Sequence, residues 1–161
     1  IWKKIIEVIE EQLRKIEAEL RAEAPRKLIF GEGALTHELL ARELIDPRRF
    51  GNSRQVANYF GLCPSESTSD QRGRLGAITK HGNPRLRRLM VELAWRVSRF
   101  QPDYRGMRRW RALLEDRRAS GAARKKAIVA LARQLAVDLW RMATGRVQAQ
   151  ELGLVQKVRL T

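Results

Sequence analysis

Apolar residues in this 161-residue chain recur at helical spacing and almost nowhere at strand spacing. Trp2, Ile6, Ile9, Leu13, Ile16 and Leu20 follow one another at intervals of 4, 3, 4, 3 and 4, a heptad seam. Leu86, Leu89, Met90, Leu93, Val97 and Phe100 form a second stripe, and Ile128, Leu131, Leu135, Leu139 and Trp140 a third. No stretch of four to eight residues alternates convincingly, so no sheet is expected. The fold class that follows is all-α: an N-terminal coiled-coil-like helix, then a compact helical domain with a long polar loop.

Punctuation sharpens the element boundaries. Pro25 ends the heptad helix. A short helix is expected from Ala34 to Leu44, stopped by Asp46-Pro47, and another from an N-cap at Ser53 to Gly61. Asn83-Pro84 combines a capping side chain with proline at the first helical position, and Pro102 closes the helix it starts. A helix is expected from Asp103 to Arg118, anchored by Met107, Trp110, Leu113 and Leu114. A longer one runs from Ala122 to Thr144, with Gly145 just beyond it. Helical core spacing places Trp95, Trp110 and Trp140 in the interior. The resulting division is a linker helix at 1–24, a helical domain at 25–153 and a peripheral tail at 154–161.

Between Cys63 and Gly82 lie about twenty residues rich in Ser, Thr, Asp, Gln, Arg and Gly, without helical periodicity. Loops of this length in a compact domain are usually functional or disordered. Ser65, Ser67, Thr68 and Ser69 supply hydroxyls there; Arg72, Arg74, Lys80 and His81 supply cations. A serine hydroxyl needs activation to act as a nucleophile, and an attacked phosphate needs cations as charge builds. The loop runs into the helix start at Asn83-Pro84, whose backbone N–H groups favour phosphate. A floppy surface loop explains the same composition.

Charge narrows the partner. Thirty-three Lys and Arg against 18 Asp and Glu give a net +15. The heptad segment is balanced, with five basic and six acidic residues up to Glu23. The excess lies at Asp70–Phe100, net +6, and Arg105–Lys126, net +7. Arginine dominates, and its planar fork suits bidentate phosphate contacts, which give affinity more than sequence reading. A nucleic acid is therefore the expected partner. A single cysteine, Cys63, excludes an intrachain disulfide and a Cys-based zinc site. His37 and His81 lack partners at ligand spacing, so no metal site is expected in this chain; His37 reads as an exposed helix residue. No apolar run approaches the ~18 residues of a membrane span.

The stretch Arg54-Gln55-Val56-Ala57-Asn58-Tyr59-Phe60-Gly61-Leu62-Cys63-Pro64, preceded by Phe50, resembles one insertion-sequence transposase family. These enzymes join a RuvC-like DEDD nuclease domain to a C-terminal serine transposase domain, and include bridge-RNA-guided recombinases. The likeness continues through Gly76–Arg87, with Gly82-Asn83-Pro84 at its centre. It returns at Ala94-Trp95-Arg96, Arg99-Phe100-Gln101-Pro102 and Lys126–Arg133, covering about Leu28 to Gly153. The resemblance implies a DNA transposase or recombinase domain in which Ser69 is the nucleophile, with Ser67 and Thr68 as alternatives. Arg72, Arg74, Lys80, Arg85 and Arg88 are the expected nucleic-acid clamps. Asp70 stands where the family usually has glycine; a carboxylate there repels phosphate and a side chain restricts the turn. The resemblance further implies DNA and a guide (bridge) RNA as partners, a homo-oligomer joined through the coiled coil, and a cytoplasmic, nucleoid-associated prokaryotic setting. Mg²⁺ belongs to the acidic cluster of the DEDD domain, outside this chain, so the fragment alone is expected to bind without cutting. The competing reading is a non-catalytic nucleic-acid-binding or assembly module.

Overall fold

The structure, a computed structural model, describes residues 1–23, 27–67 and 74–158. It is predominantly helical, as the periodicity requires. In chain order it contains α1 (Trp2–Glu23), β1 (Lys27–Ile29), α2 (Ala34–Leu44), α3 (Ser53–Tyr59), β2 (Pro64–Ser67), β3 (Arg74–Ile78), α4 (Pro84–Phe100), α5 (Arg111–Glu115), α6 (Gly121–Ala143) and β4 (Gln156–Val158). Short 3₁₀ turns at Pro47–Arg49, Arg105–Met107 and Gln150–Leu152 join them.

The core is built on α4 against α6. Leu86, Met90, Leu93 and Val97 of α4 meet Ile128, Leu131 and Leu135 of α6, all buried. Fully burying one such side chain is worth about 1.5–3 kcal/mol, so this pair dominates the stability of the domain. Leu40 of α2 and Val56 with Phe60 at α3 complete the interior. Trp140 is buried and its indole N–H donates to the Pro47 carbonyl at 2.8 Å. Trp110 is half-buried against the core. Trp95, expected inside, is 45 % exposed: it falls on the side of α4 away from the buried stripe.

The helix ends follow their chemistry. Asn83 caps α4, its Oδ1 accepting from the backbone N–H of Arg85 at 2.9 Å and Leu86 at 3.3 Å. Ser120 caps α6 by accepting from Ala123 N–H at 3.1 Å. At the far end of α6 Gly145 has φ +72°; Arg146 N–H donates to Arg141 O at 2.8 Å and Gly145 N–H to Met142 O at 3.0 Å. This is the paired closure that a left-handed residue permits. The cap of α3 is Asn52, accepting from Gln55 N–H at 3.0 Å, and not Ser53, which is the first helical residue.

Three further expectations give way. The segment 103–118 is not one helix. Tyr104 is fully buried, its hydroxyl donating to Asp138 at 2.7 Å, and Gly106 passes so close that an added Cβ would lie 2.5 Å from the Tyr104 ring. That anchor and a glycine of low helix propensity leave a 3₁₀ turn followed by the five residues of α5. Strands also exist, as two antiparallel pairs: β1 with β4 and β2 with β3. β1 and β4, of three residues each, are shorter than the window in which alternation registers, β2 and β3 carry no clear alternation, and the pairing is a backbone matter. The stretch after Gly145 returns to the core through Val147, Ala149, Leu152 and Leu154 before β4, so the tail expected to be peripheral begins with a buried residue. The buried Gln101 fastens this return: its amide N–H₂ donates to Phe30 O and Val155 O at 2.9 and 2.8 Å, and its carbonyl accepts from Val155 N–H at 2.9 Å.

α1 differs from every other long helix. None of its residues is buried, and Ile6, Ile9, Leu13 and Ile16 of the seam are each about half exposed.

Candidate nucleic-acid interface

The polar stretch after Cys63 is organised as a hairpin. Pro64 pairs with Ile78, Glu66 with Leu75 and Ser67 with Arg74, with an irregularity between Pro64 and Glu66. The Ser65 hydroxyl donates across the pair to Ala77 O at 3.0 Å, so that serine is spent on the hairpin. Thr79 N–H donates to Cys63 O at 2.8 Å and continues the ladder to the base.

The base is fixed to three helices. Gly82 runs against the end of α3 so closely that a Cβ would lie 2.2 Å from Gly61 N and 2.3 Å from Tyr59 O; only glycine fits. Asn83 N–H donates to Tyr59 O at 2.8 Å, and Asn83 Nδ2 to Glu43 Oε2 at 2.6 Å. Tyr59 Oη in turn donates to Glu43 O at 3.0 Å. Glu43, absent from the sequence-based candidates, thus ties α2 to α3 and α4. Its only sequence signal is a carboxylate in the last turn of a short helix, which marks nothing by itself.

The expected site residues distribute along this frame. Ser69, Thr68, Asp70 and Arg72 lie outside the described residues. Ser67 ends β2 and Arg74 begins β3, register partners at the end of the hairpin away from its base. Lys80 follows β3, exposed, with φ +58°. A lysine in the left-handed region carries strain, and Arg87 holds it there by donating from its guanidinium to Lys80 O at 3.2 Å. Arg85 and Arg88, three residues apart on α4, are exposed. Arg85 lies 3.7 Å from Glu43 in a mostly solvated pair, worth little. His81 is exposed. Lys80, Arg85 and Arg88 therefore gather where the hairpin joins α4, while Arg74 stands further out.

The N-terminus of α4 sits at the base of the hairpin, whereas Ser67 and Arg74 pair at its other end. Five residues of β3 span roughly 13–17 Å at the usual rise. The first-turn N–H groups of Arg85 and Leu86 are moreover already satisfied by Asn83. The helix end shapes the hairpin base.

Spacing in sequence also misses a basic concavity beside the hairpin. Arg54, Asn58, Cys63, Ser65, Thr79 and Arg133 line a pocket of about 390 Å³ at its base. Arg133 comes from the middle of α6, more than fifty residues away in sequence, so only the fold brings it here. His37, expected to be simply exposed, is partly buried with Nδ1 3.1 Å from Glu32 Oε1; that hydrogen bond raises its pKa above 6.5 against the opposing effect of burial. Burial, followed by the charge of and hydrogen bond to Asp138, pushes the Tyr104 hydroxyl far above its ordinary value. Among the described residues no three His, Cys, Asp or Glu side chains gather in a way that could hold a metal ion. No described helix is long and apolar enough to cross a membrane.

Comparison with known proteins places this frame in a family. Residues 27–110, from β1 through the hairpin and α4 to Trp110, match the transposase IS116/IS110/IS902 family. A probable family 20 transposase of Pseudomonas aeruginosa is 33 % identical over 79 % of this chain and 38 % of its own length. The transposase for insertion sequence element IS1328 of Yersinia enterocolitica is 34 % identical over 52 % of the chain and 27 % of its own length. The corresponding transposase for element IS1111A of Coxiella burnetii is 31 % identical over 71 % and 30 %. The chain thus spans 27–38 % of the length of these relatives. No solved structure matches it. The matched segment carries the hairpin, the Gly82-Asn83-Pro84 junction and the basic start of α4 together, and on that ground the chain belongs to the IS116/IS110/IS902 family of transposases.

Proposed function

We propose that this chain is the part of a transposase that binds DNA and supplies a serine nucleophile for strand cleavage and exchange. The observation that carries the reading is the hairpin itself: a family-matched element, rigidly rooted by Gly82 and Asn83, whose connecting residues 68–73 include Ser69 and whose root is flanked by Lys80, Arg85 and Arg88. In this reading the Ser69 hydroxyl oxygen attacks a backbone phosphorus and loses its proton. The phosphoserine ester forms as the bond to one strand's oxygen breaks, and that oxygen leaves and takes up a proton. One phosphoester replaces another, so little free energy is lost and a second strand end can reverse the step to complete exchange. Arg72, Arg74, Lys80, Arg85 and Arg88 stabilise the charge on the phosphate oxygens.

The same reading assigns the exposed seam of α1 to a second copy of the chain, in a coiled coil. It assigns Mg²⁺ to acidic residues elsewhere in the full-length enzyme, and guide RNA to the basic surface shared with DNA. The setting is the bacterial cytoplasm, at the nucleoid. The test is covalent trapping with the full-length enzyme, Mg²⁺ and cleavable DNA, mapping the attached residue by mass spectrometry. An adduct on Ser69 that disappears in Ser69→Ala is the expected result. An adduct on Ser67 or Thr68 moves the nucleophile. Intact DNA binding with no adduct favours a non-catalytic binding module, which Asp70 beside Ser69 makes the second reading.

A further inference from the structure

A second basic pocket, of about 570 Å³, lies where the turn at residues 105–110 crosses the middle of α6. Arg105, Arg109, Arg133 and Arg141 line it, together with Ser53 and Asp138. Four guanidinium groups in one concavity repel one another, and a fold keeps such a cluster only at a cost in stability. Asp138 does not neutralise them as a group. It is 2 % exposed, and its carboxylate accepts from the Tyr104 hydroxyl at 2.7 Å and from Gln134 at 3.0 Å. Of the four arginines only Arg141 reaches it, at 3.4 Å. Among the described residues Arg105, Arg109 and Arg133 pair with no carboxylate; Arg109 instead lies over the Trp110 ring, 5.1 Å from its centroid. Arg105, Arg109 and Arg133 are also exposed, so their forks are open to a ligand.

Arg133 has a second property. It lines both this pocket and the smaller one at the base of the hairpin, with Arg54, Ser65 and Thr79. Two adjoining basic pockets sharing one arginine suit a ligand with repeated phosphates better than a single anion. We infer that the pocket between the 105–110 turn and α6 binds a nucleic-acid backbone, whose strand passes over Arg133 toward the β2–β3 hairpin. Arg105 and Arg109 take one phosphate, Arg133 the next, and Trp110 is shielded from base stacking by Arg109. The inference rests on the nucleic-acid-binding part of the proposed function and is independent of which residue is the nucleophile.

The test compares the salt dependence of binding by the full chain to a fluorescent duplex DNA and to an RNA of the same sequence. Removing one phosphate-binding cation lowers the log–log slope by about 0.9 on duplex DNA and about 0.7 on a single strand. Arg133→Gln is expected to weaken binding several-fold and lower the slope by about one such unit. The double variant Arg105→Gln/Arg109→Gln, which removes both groups on the neighbouring phosphate, is also expected to lower it by about one unit. Lys4→Gln on α1 removes the same charge outside the pocket and is expected to leave the slope unchanged. Arg133→Lys keeps the charge without the planar fork, so it is expected to retain the slope at reduced affinity. A weakening confined to the DNA or to the RNA names the strand that occupies the pocket. If the pocket variants, with unchanged melting temperatures, match Lys4→Gln on both nucleic acids, the inference is overturned; covalent trapping at Ser69 would be unaffected by that outcome.

Discussion

α1 and α4 are both amphipathic helices of 22 and 17 residues with an apolar stripe at helical spacing, yet they end in opposite environments. Leu86, Met90, Leu93 and Val97 of α4 have no exposure at all, while Ile6 and Leu13 of α1 remain 53 % and 54 % exposed. The stripe of α4 is answered by that of α6. α2 touches α1, yet no residue of α1 becomes buried by it. Periodicity fixes which face of a helix is apolar; what covers that face depends on matching stripes elsewhere. The charged flanks of α1 fit this difference. Its i,i+4 pairs, Lys15 with Glu11 at 2.9 Å and Arg21 with Glu17 at 3.4 Å, support a helix that stands in solvent.

Cutting into the answered stripe should cost most. Leu131→Ala on α6 is expected to destabilise the domain by about 2–5 kcal/mol, the range for a buried leucine that leaves a cavity. Chemical denaturation of the chain reads this directly, and a loss no larger than that of a surface substitution would remove α6 from the core. Leu13→Asp on α1 is expected to separate two properties that move together in α4. The stability of the domain should shift within about 0.5 kcal/mol, as for an exposed site, while self-association in sedimentation experiments is lost. A large loss of stability without any change in assembly would show that the seam packs on its own domain.

The smallest effect belongs to the clip between these regions. His37 and Glu32 pair at the start of α2, and the folded pKa of His37 lies above 6.5. A raised value means that the folded state binds the proton more tightly. The stabilisation is therefore fully present below pH 6.5 and is lost as pH rises through the folded value. His37→Gln is expected to flatten stability across that window, and an unchanged pH profile would dissociate the pair from folding.

How much of this is legible in the sequence varies with the physics involved. The helices of the core and the cap at Asn83-Pro84 are readable because their determinants are local: a stripe, an Asx side chain, a proline at the first position. The bounds of α2, Ala34 and Leu44, follow from the sequence to the residue. The hairpin does not, because Pro64–Ser67 offers no alternation and its partner strand contributes backbone more than pattern. Trp95 escapes the pattern because it sits on the side of α4 away from the buried stripe. The candidate site divides in the same way. The cations near the hairpin can be named from charge, and the family blocks point to the serine segment. Gly82 acts by lacking a Cβ against α3, Glu43 by reaching Asn83 from forty residues away, and Arg133 by joining two pockets. None of these is visible until the chain is folded.

The pairing of β1 with β4 has a kinetic consequence. Lys27 meets Val158 and Ile29 meets Gln156, so these few backbone bonds close a loop of nearly the whole domain. Closing so long a loop carries a large entropic cost, which only a chain already compact around α4 and α6 can offset. The pair and its Gln101 fastening should form after the helical core and come apart before it. Amide exchange at residues 156–158 would then proceed by local opening, faster than in α4 and α6, and tension on the chain through α1 would reach this clasp while the core was still intact.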